Sequence, residues 1–149
     1  MKKNHKSYGT DNDLNAKVVI ALARANQTVL AVSARDFREG GLTISQFSVL
    51  EALYHKGPMR ICHLIEKTLS TGGNMTVVIE NLIRLGYIKK ACDPEDKRAS
   101  IITLTDEGFK LIEQIFPSHL ESLAKVFEPL DNEDKVELIR IIKKLTRKE

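Results

Sequence analysis

The sequence predicts a mainly α-helical fold that carries a single β-hairpin. Three observations lead there. Only 5% of the 149 residues are aromatic and there is no Trp, so Leu, Ile, Val and Ala supply the apolar surface, which suits helix-on-helix packing rather than a sandwich or barrel. Most of the chain repeats apolar residues at three- and four-residue steps, the period of an amphipathic helix. The two β-prone runs, Tyr87 to Cys92 and Ala99 to Leu104, are adjacent and joined by turn-forming residues. A chain of this length is one domain with a real core, too short for two cores of ordinary size.

Taken in order, the first eleven residues are polar and read as a loose arm. From Asp13, with a start near residue 11, Leu14, Val18, Ala21, Leu22, Ala25, Val29, Val32 and Phe37 outline a helix of some twenty residues that Gly40 and Gly41 stop. Thr43 and Gln46 have capping-box spacing, and Phe47, Leu50, Leu53 and Tyr54 follow as a second helix ended by Gly57 and Pro58. Ile61, Leu64 and Ile65 make a short third helix, and Leu69, Ser70 and Thr71 turn into a fourth, from about Gly72 to Leu85. Thr71 is its expected N-cap and Gly86 its left-handed terminus.

After the hairpin, Thr105 caps a long helix whose first turn holds Asp106 and Glu107, where carboxylates favour the helix dipole. Leu111, Ile112, Ile115, Phe116, Leu120, Leu123, Ala124 and Phe127 continue its apolar stripe, and Pro117 is expected to kink or split it. Asp131 opens a last helix, acidic at its start and basic at its end. The first and the last two helices carry more apolar surface than a small domain covers from within, so they are expected to pair with a second copy.

The charge balance is mild, 23 Lys and Arg against 20 Asp and Glu for a net +3. Any contact with a polyanion must therefore come from how the charges are placed and from symmetry. Cys62 and Cys92 form no C-x-x-C pair, and the N-terminus leads into no apolar segment of the kind a secretion signal has. Reduced thiols in a cytoplasmic protein are expected. No apolar run reaches the roughly 18 residues that a membrane span needs.

The fourth helix and the hairpin carry the chemistry. Met75, Val78, Ile79, Leu82 and Ile83 fall on one face; Asn74, Val77 and Asn81, with Gly73, Thr76 and Glu80, fall on the other. A buried face opposite small and amide side chains suits a helix that enters the major groove, because bulky charges would hold its axis off the bases. The hairpin tip, Asp93-Pro94-Glu95-Asp96-Lys97-Arg98, is turn chemistry with a basic end. An Arg there can seek the negative potential of a narrow minor groove. Helix, short helix, turn, helix and hairpin in this order is a winged helix-turn-helix flanked by N- and C-terminal helices.

Asp96-Lys97-Arg98 followed by Leu104-Thr105-Asp106-Glu107-Gly108 resembles the wing signature of the MarR family of bacterial transcriptional regulators, Asp-x-Arg and then Leu-Thr-x-x-Gly, and the resemblance spans nearly the whole chain. It implies a sequence-specific regulator of transcription, often a repressor, that binds a pseudo-palindrome in double-stranded DNA as a homodimer. It implies a winged lobe over about residues 43–108 and dimerisation helices over about 11–37 and 109–149. Thr71, Gly73, Asn74, Thr76, Val77, Lys97 and Arg98 would contact DNA, with Asp96 orienting Arg98. The sequence departs from the commonest family pattern at Gly72, Gly73 and Val77, where Ser, Thr or Arg is frequent. That leaves the bases read open.

The resemblance also implies control by a small phenolic or aromatic ligand, or by an electrophile or oxidant. The run from Ser70 to Thr76 is similar to regulators that answer to quinones and related electrophiles. Phe47, Leu50 and Tyr54 are the candidate pocket residues, with plain core packing as the alternative. Cys62, beside His63, is the candidate redox residue, although a buried inert thiol is the expected state of both cysteines. His5, His55, His63 and His119 show no metal-ligand spacing, and no metal, cofactor or catalysis is expected. A metal-responsive regulator and a winged helix that contacts protein instead of DNA are the alternatives.

Overall fold

The computed structural model describes residues 6–68 and 72–146. The elements are α1 (Thr10–Glu39), α2 (Ile44–Lys56), β1 (Met59–Arg60), α3 (Ile61–Thr68), α4 (Gly72–Arg84), β2 (Ile88–Cys92), β3 (Ser100–Leu104), α5 (Asp106–Val126) and α6 (Asn132–Thr146). They divide into two compact units, one of residues 33–125 and one built from the segments before 33 and after 125.

The 33–125 unit holds the core. Phe37, Phe47, Leu50, Leu64, Met75, Leu82, Ile88, Ile102, Ile112 and Ile115 are all buried and belong to one cluster. The first helix is longer than its apolar repeat suggested, and it ends where two glycines allow it to. Gly41 has φ +74°, its amide donates to the Arg38 carbonyl at 2.9 Å, and the Leu42 amide donates to the Phe37 carbonyl at 2.8 Å. That is a left-handed helix terminus, open to Gly at little cost. The expected capping box follows: Thr43 Oγ1 accepts from the Gln46 amide at 3.2 Å, and Gln46 Oε1 accepts from the Thr43 amide at 2.8 Å. The Phe37 and Phe47 rings stack across this turn with centroids 3.7 Å apart.

Beneath those rings α1 and α5 are joined by a buried polar pair. His119 Nδ1 donates to Asp36 Oδ2 at 3.0 Å, with the two residues only 7% and 8% exposed. Burial pushes the Asp36 carboxyl up, but hydrogen bonds from His119, Ser122 and Arg35 outweigh it and hold the group below the ordinary carboxylate value. Thus His119 is a structural histidine. Helix α5 runs unbroken through Pro117 rather than splitting there. Pro117 lies on the exposed side of the helix, where water can take up the carbonyl that loses its donor.

The sheet has the order β1-β3-β2 and is antiparallel throughout. The hairpin pairs Ile88 with Leu104 and Cys92 with Ser100. Strand β1 escapes sequence reading because it is two residues long; Met59 pairs with Ile102 and Arg60 with Ile101.

The junction of α4, the hairpin and α5 is the most constrained point of the unit. Gly86, at φ +79°, closes α4, with Tyr87 N donating to the Leu82 carbonyl at 3.0 Å. Thr105 then ties three elements together. Its hydroxyl donates to the Gly86 carbonyl at 2.6 Å and accepts from the Gly108 amide at 3.1 Å, while its own amide donates to the Tyr87 carbonyl at 3.1 Å. A Cβ on Gly108 would stand 2.1 Å from the Tyr87 carbonyl oxygen. The Leu-Thr-x-x-Gly spacing is therefore a packing requirement: Thr to bond both ways, Gly to let the helix reach the strand backbone.

In the other unit, the described part of α1 before residue 33 and the whole of α6 are almost entirely exposed. Leu14, Val18, Val19, Ile20, Leu22 and Leu30 on α1, and Val136, Ile139, Ile141 and Leu145 on α6, are large apolar side chains left in contact with water.

Gly108→Ala forces backbone apart, since the blocking atom is a carbonyl and not the end of a flexible side chain. It is expected to cost about 1–3 kcal/mol of stability, the range for overpacking, read as a lowered midpoint in thermal unfolding. An unchanged midpoint would show that this contact is not as close as described.

Candidate nucleic-acid interface

Helix α4 presents two faces. Met75, Val78, Ile79 and Leu82 are buried, which holds the helix to the core along its length. Gly72, Gly73, Asn74, Thr76 and Val77 are exposed, and Thr76 Oγ1 donates to the Gly72 carbonyl at 3.3 Å. Among the described residues outside its own helix turn, nothing comes within 4 Å of where a Gly73 Cβ would be, so their packing does not demand a glycine there. Ile83, expected on the buried face, is 39% exposed, because the helix reaches its last turn there and the core lies behind Leu82. Thr71 lies outside the described residues.

The wing is built around one carboxylate that sequence reading did not single out. Asp93 is only 3% exposed. Its Oδ1 accepts from the Glu95 amide at 2.8 Å, which folds the turn, and its Oδ2 accepts from Arg60 Nε at 2.5 Å. Around it, Asp93 N donates to the Ala99 carbonyl at 3.1 Å and Ala99 N to the Asp96 carbonyl at 2.8 Å. The Glu95 amide holds the Asp93 carboxyl below the ordinary carboxylate value against burial, and Arg60 lowers it further. The signal for this hub is faint: a single Arg thirty-three positions upstream, on a strand too short to recognise.

Asp96 and Arg98 form the tip. Asp96 Oδ1 accepts from the Arg98 amide at 3.0 Å and lies 3.6 Å from Arg98 Nε. The Arg98 side chain is nonetheless 96% exposed. Lys97 is exposed beside it, and Lys89 and Lys90 are exposed on β2, an edge strand.

The remaining candidates distribute differently from expectation. Phe47 and Leu50 are core residues, 2% and 0% exposed, while Tyr54 is half-buried with its ring 4.7 Å from that of Phe109. Both cysteines are exposed, which corrects the expectation of buried thiols. Cys62 lies on the outer side of α3, whose inner side is taken by Leu64, and Cys92 ends a strand that leaves the core after Ile88. Its Sγ is 3.5 Å from the Lys97 carbonyl oxygen. Among the described residues no group of three or more His, Cys, Asp or Glu is arranged to hold a metal ion, and no helix is long and apolar enough to cross a membrane.

A family model described as transcriptional regulator SarA/Rot matches residues 37–115, the same bounds as the buried core. The chain belongs to this family of MarR-like winged-helix regulators. Within it, the sequence is 37% identical to the HTH-type transcriptional regulator YkoM of Bacillus subtilis, over 82% of this chain and 79% of that one. It is 29% identical to the HTH-type transcriptional regulator MhqR of the same organism, over 79% and 81% of the two chains. Among solved structures, Bordetella bronchiseptica BpsR, whose DNA binding is regulated by 6-hydroxynicotinic acid, matches with a TM-score of 0.80 and 27% identity, covering 88% of this chain and 99% of that one. The protein is thus a DNA-binding transcriptional regulator of the winged helix-turn-helix type.

Because folding lowers the Asp93 carboxyl, its contribution is complete above the ordinary aspartate value of about 3.9 and lost as pH falls through the lowered folded value. The protection of amides 93–99 from hydrogen exchange, relative to their intrinsic rate at each pH, should therefore fall below that range in the native protein but not in Asp93→Asn, where it should already be low. Equal pH dependence in both would remove Asp93 as the cause.

Proposed function

We propose that the protein is a homodimeric repressor that binds a pseudo-palindromic operator and releases it when a small ligand or an electrophile reshapes the dimer. The supporting observation is the pairing, on one rigidly joined segment, of a helix face without bulky side chains and an exposed arginine at a hairpin tip. Gly73, Asn74, Thr76 and Val77 suit close approach to base edges, Asn74 through its amide toward adenine and Val77 toward a thymine methyl. Arg98 suits a narrow minor groove, with Lys97 on the adjacent phosphates and Asp96 limiting the directions Arg98 can take. Thr71 is assigned to the same surface by sequence alone.

The apolar faces of α1 and α6 are the proposed dimer contact, since so much exposed aliphatic surface favours a self-complementary partner. Two copies would set their α4 helices about 34 Å apart, one turn of DNA. BpsR supplies the precedent for a small aromatic acid as effector. Tyr54, half-buried, is the one pocket candidate with a free edge, and exposed Cys62 is the candidate thiol for an electrophile. A regulator that acts by binding chromosomal DNA, without catalysis, would work in the cytoplasm.

Fluorescence anisotropy with DNA from upstream of the protein's own gene and a scrambled duplex tests this reading. The expected result is preference for the native duplex, with affinity falling steeply with salt as counterions are displaced. Arg98→Ala should weaken that binding by about 1–3 kcal/mol, the value of one good groove contact, without moving the thermal midpoint, because its side chain is 96% exposed. Equal and salt-insensitive binding to both duplexes would point to a winged helix that contacts protein.

A further inference from the structure

The geometry points to Arg60 as a positioning residue for DNA recognition: through Asp93 it sets the wing turn that aims Arg98, while its own charge is occupied inside the protein. This rests on the proposed role of Arg98.

The relay can be followed atom by atom. Arg60 belongs to β1, which is paired to β3 and so fixed to the body of the winged unit. Its Nε donates to Asp93 Oδ2 at 2.5 Å, and its Nη2 stands 4.0 Å from Glu95 Oε2. The other Asp93 oxygen holds the Glu95 amide, which folds the chain back toward Asp96. Asp96 in turn takes the Arg98 amide on its side chain and the Ala99 amide on its carbonyl. Each step fixes the next, and the last residue is the exposed guanidinium.

Arg60 is poorly suited to bind phosphate itself. It faces three carboxylates, Asp93, Glu95 and Asp96, and its side chain is only 35% exposed against 96% for Arg98. A partly buried arginine that neutralises a buried carboxylate and spans to a second is suited to holding a loop, since the planar guanidinium fixes direction as well as charge. Lysine, a point charge on a flexible stem, would satisfy Asp93 without fixing the turn.

The test is a double-mutant cycle on operator binding, with thermal unfolding of each variant. Arg60→Gln is expected to weaken binding about tenfold, in the range of one lost charged contact, yet to add little further loss in an Arg98→Ala background, because the two act as one unit. Arg60→Lys should recover only part of the affinity. Asp93→Asn, which keeps the side-chain shape, should behave as Arg60→Gln does and serves as the second route if Arg60→Gln unfolds. Losses that multiply in the double variant would mean that Arg60 acts independently of Arg98, and a silent Arg60→Gln with a defective Arg98→Ala would overturn the relay while sparing the role of Arg98. Failure of the wild-type protein to prefer its operator would instead reject the DNA reading itself.

Discussion

Thr105 and its contacts are the constraint on which the reading head depends. One hydroxyl bonds the carbonyl that ends α4 and the amide that begins α5, and the same residue's amide meets the carbonyl at the start of the hairpin. The helix proposed to enter the major groove and the hairpin proposed to enter the minor groove therefore share an origin and cannot turn independently. Gly108 completes this by its lack of a side chain, which lets α5 rest on the Tyr87 carbonyl. Under the proposed reading of two grooves at once, the angle between the elements matters as much as the residues they carry.

Away from that junction, the unit is stiffened by aliphatic packing and by two polar clasps. Asp36 and His119 hold the end of α1 to α5 beneath the stacked Phe37 and Phe47 rings. Arg60 and Asp93 hold the wing to the short strand β1. Both clasps bury a carboxylate, which is unfavourable unless its oxygens are bonded, and in both they are. Such clasps specify one arrangement more than they add stability, because an apolar replacement would pack without fixing direction.

Much of this was legible in the chain because it is encoded locally. The capping box at Thr43 and Gln46, the glycine termini at Gly41 and Gly86, and the hairpin followed by a Thr cap each depend on neighbours within a few positions. The buried face of α4 followed from helical period alone, apart from Ile83 at its last turn. What resisted reading involved distant partners or very short elements. Strand β1 has two residues and no pattern, and the buried state of Asp93 depends on Arg60, far away in sequence. The exposure of the cysteines is not legible either, because thiols are usually buried, whereas Cys62 lies on the outer side of a helix only eight residues long, and Cys92 on a hairpin that extends from the core. Of the two outcomes expected at Pro117, a kink or a split, the split does not occur: a helix that keeps its neighbours packed on Ile112, Ile115 and His119 tolerates one missing hydrogen bond on its wet side.

By itself, the sequence determined the class, the order of helices and hairpin, the caps at Thr43 and Thr105, and the family, since these follow from periodicity, turn chemistry and short motifs. The tertiary structure alone decided which polar groups meet: Arg60 with Asp93, Asp36 with His119, and Thr105 with Gly86. The reason is physical. A helix or a cap is stabilised by bonds between near neighbours, whereas a buried polar pair forms only where packing of the whole core brings two remote side chains within hydrogen-bond distance and shuts out the water that would otherwise replace either partner.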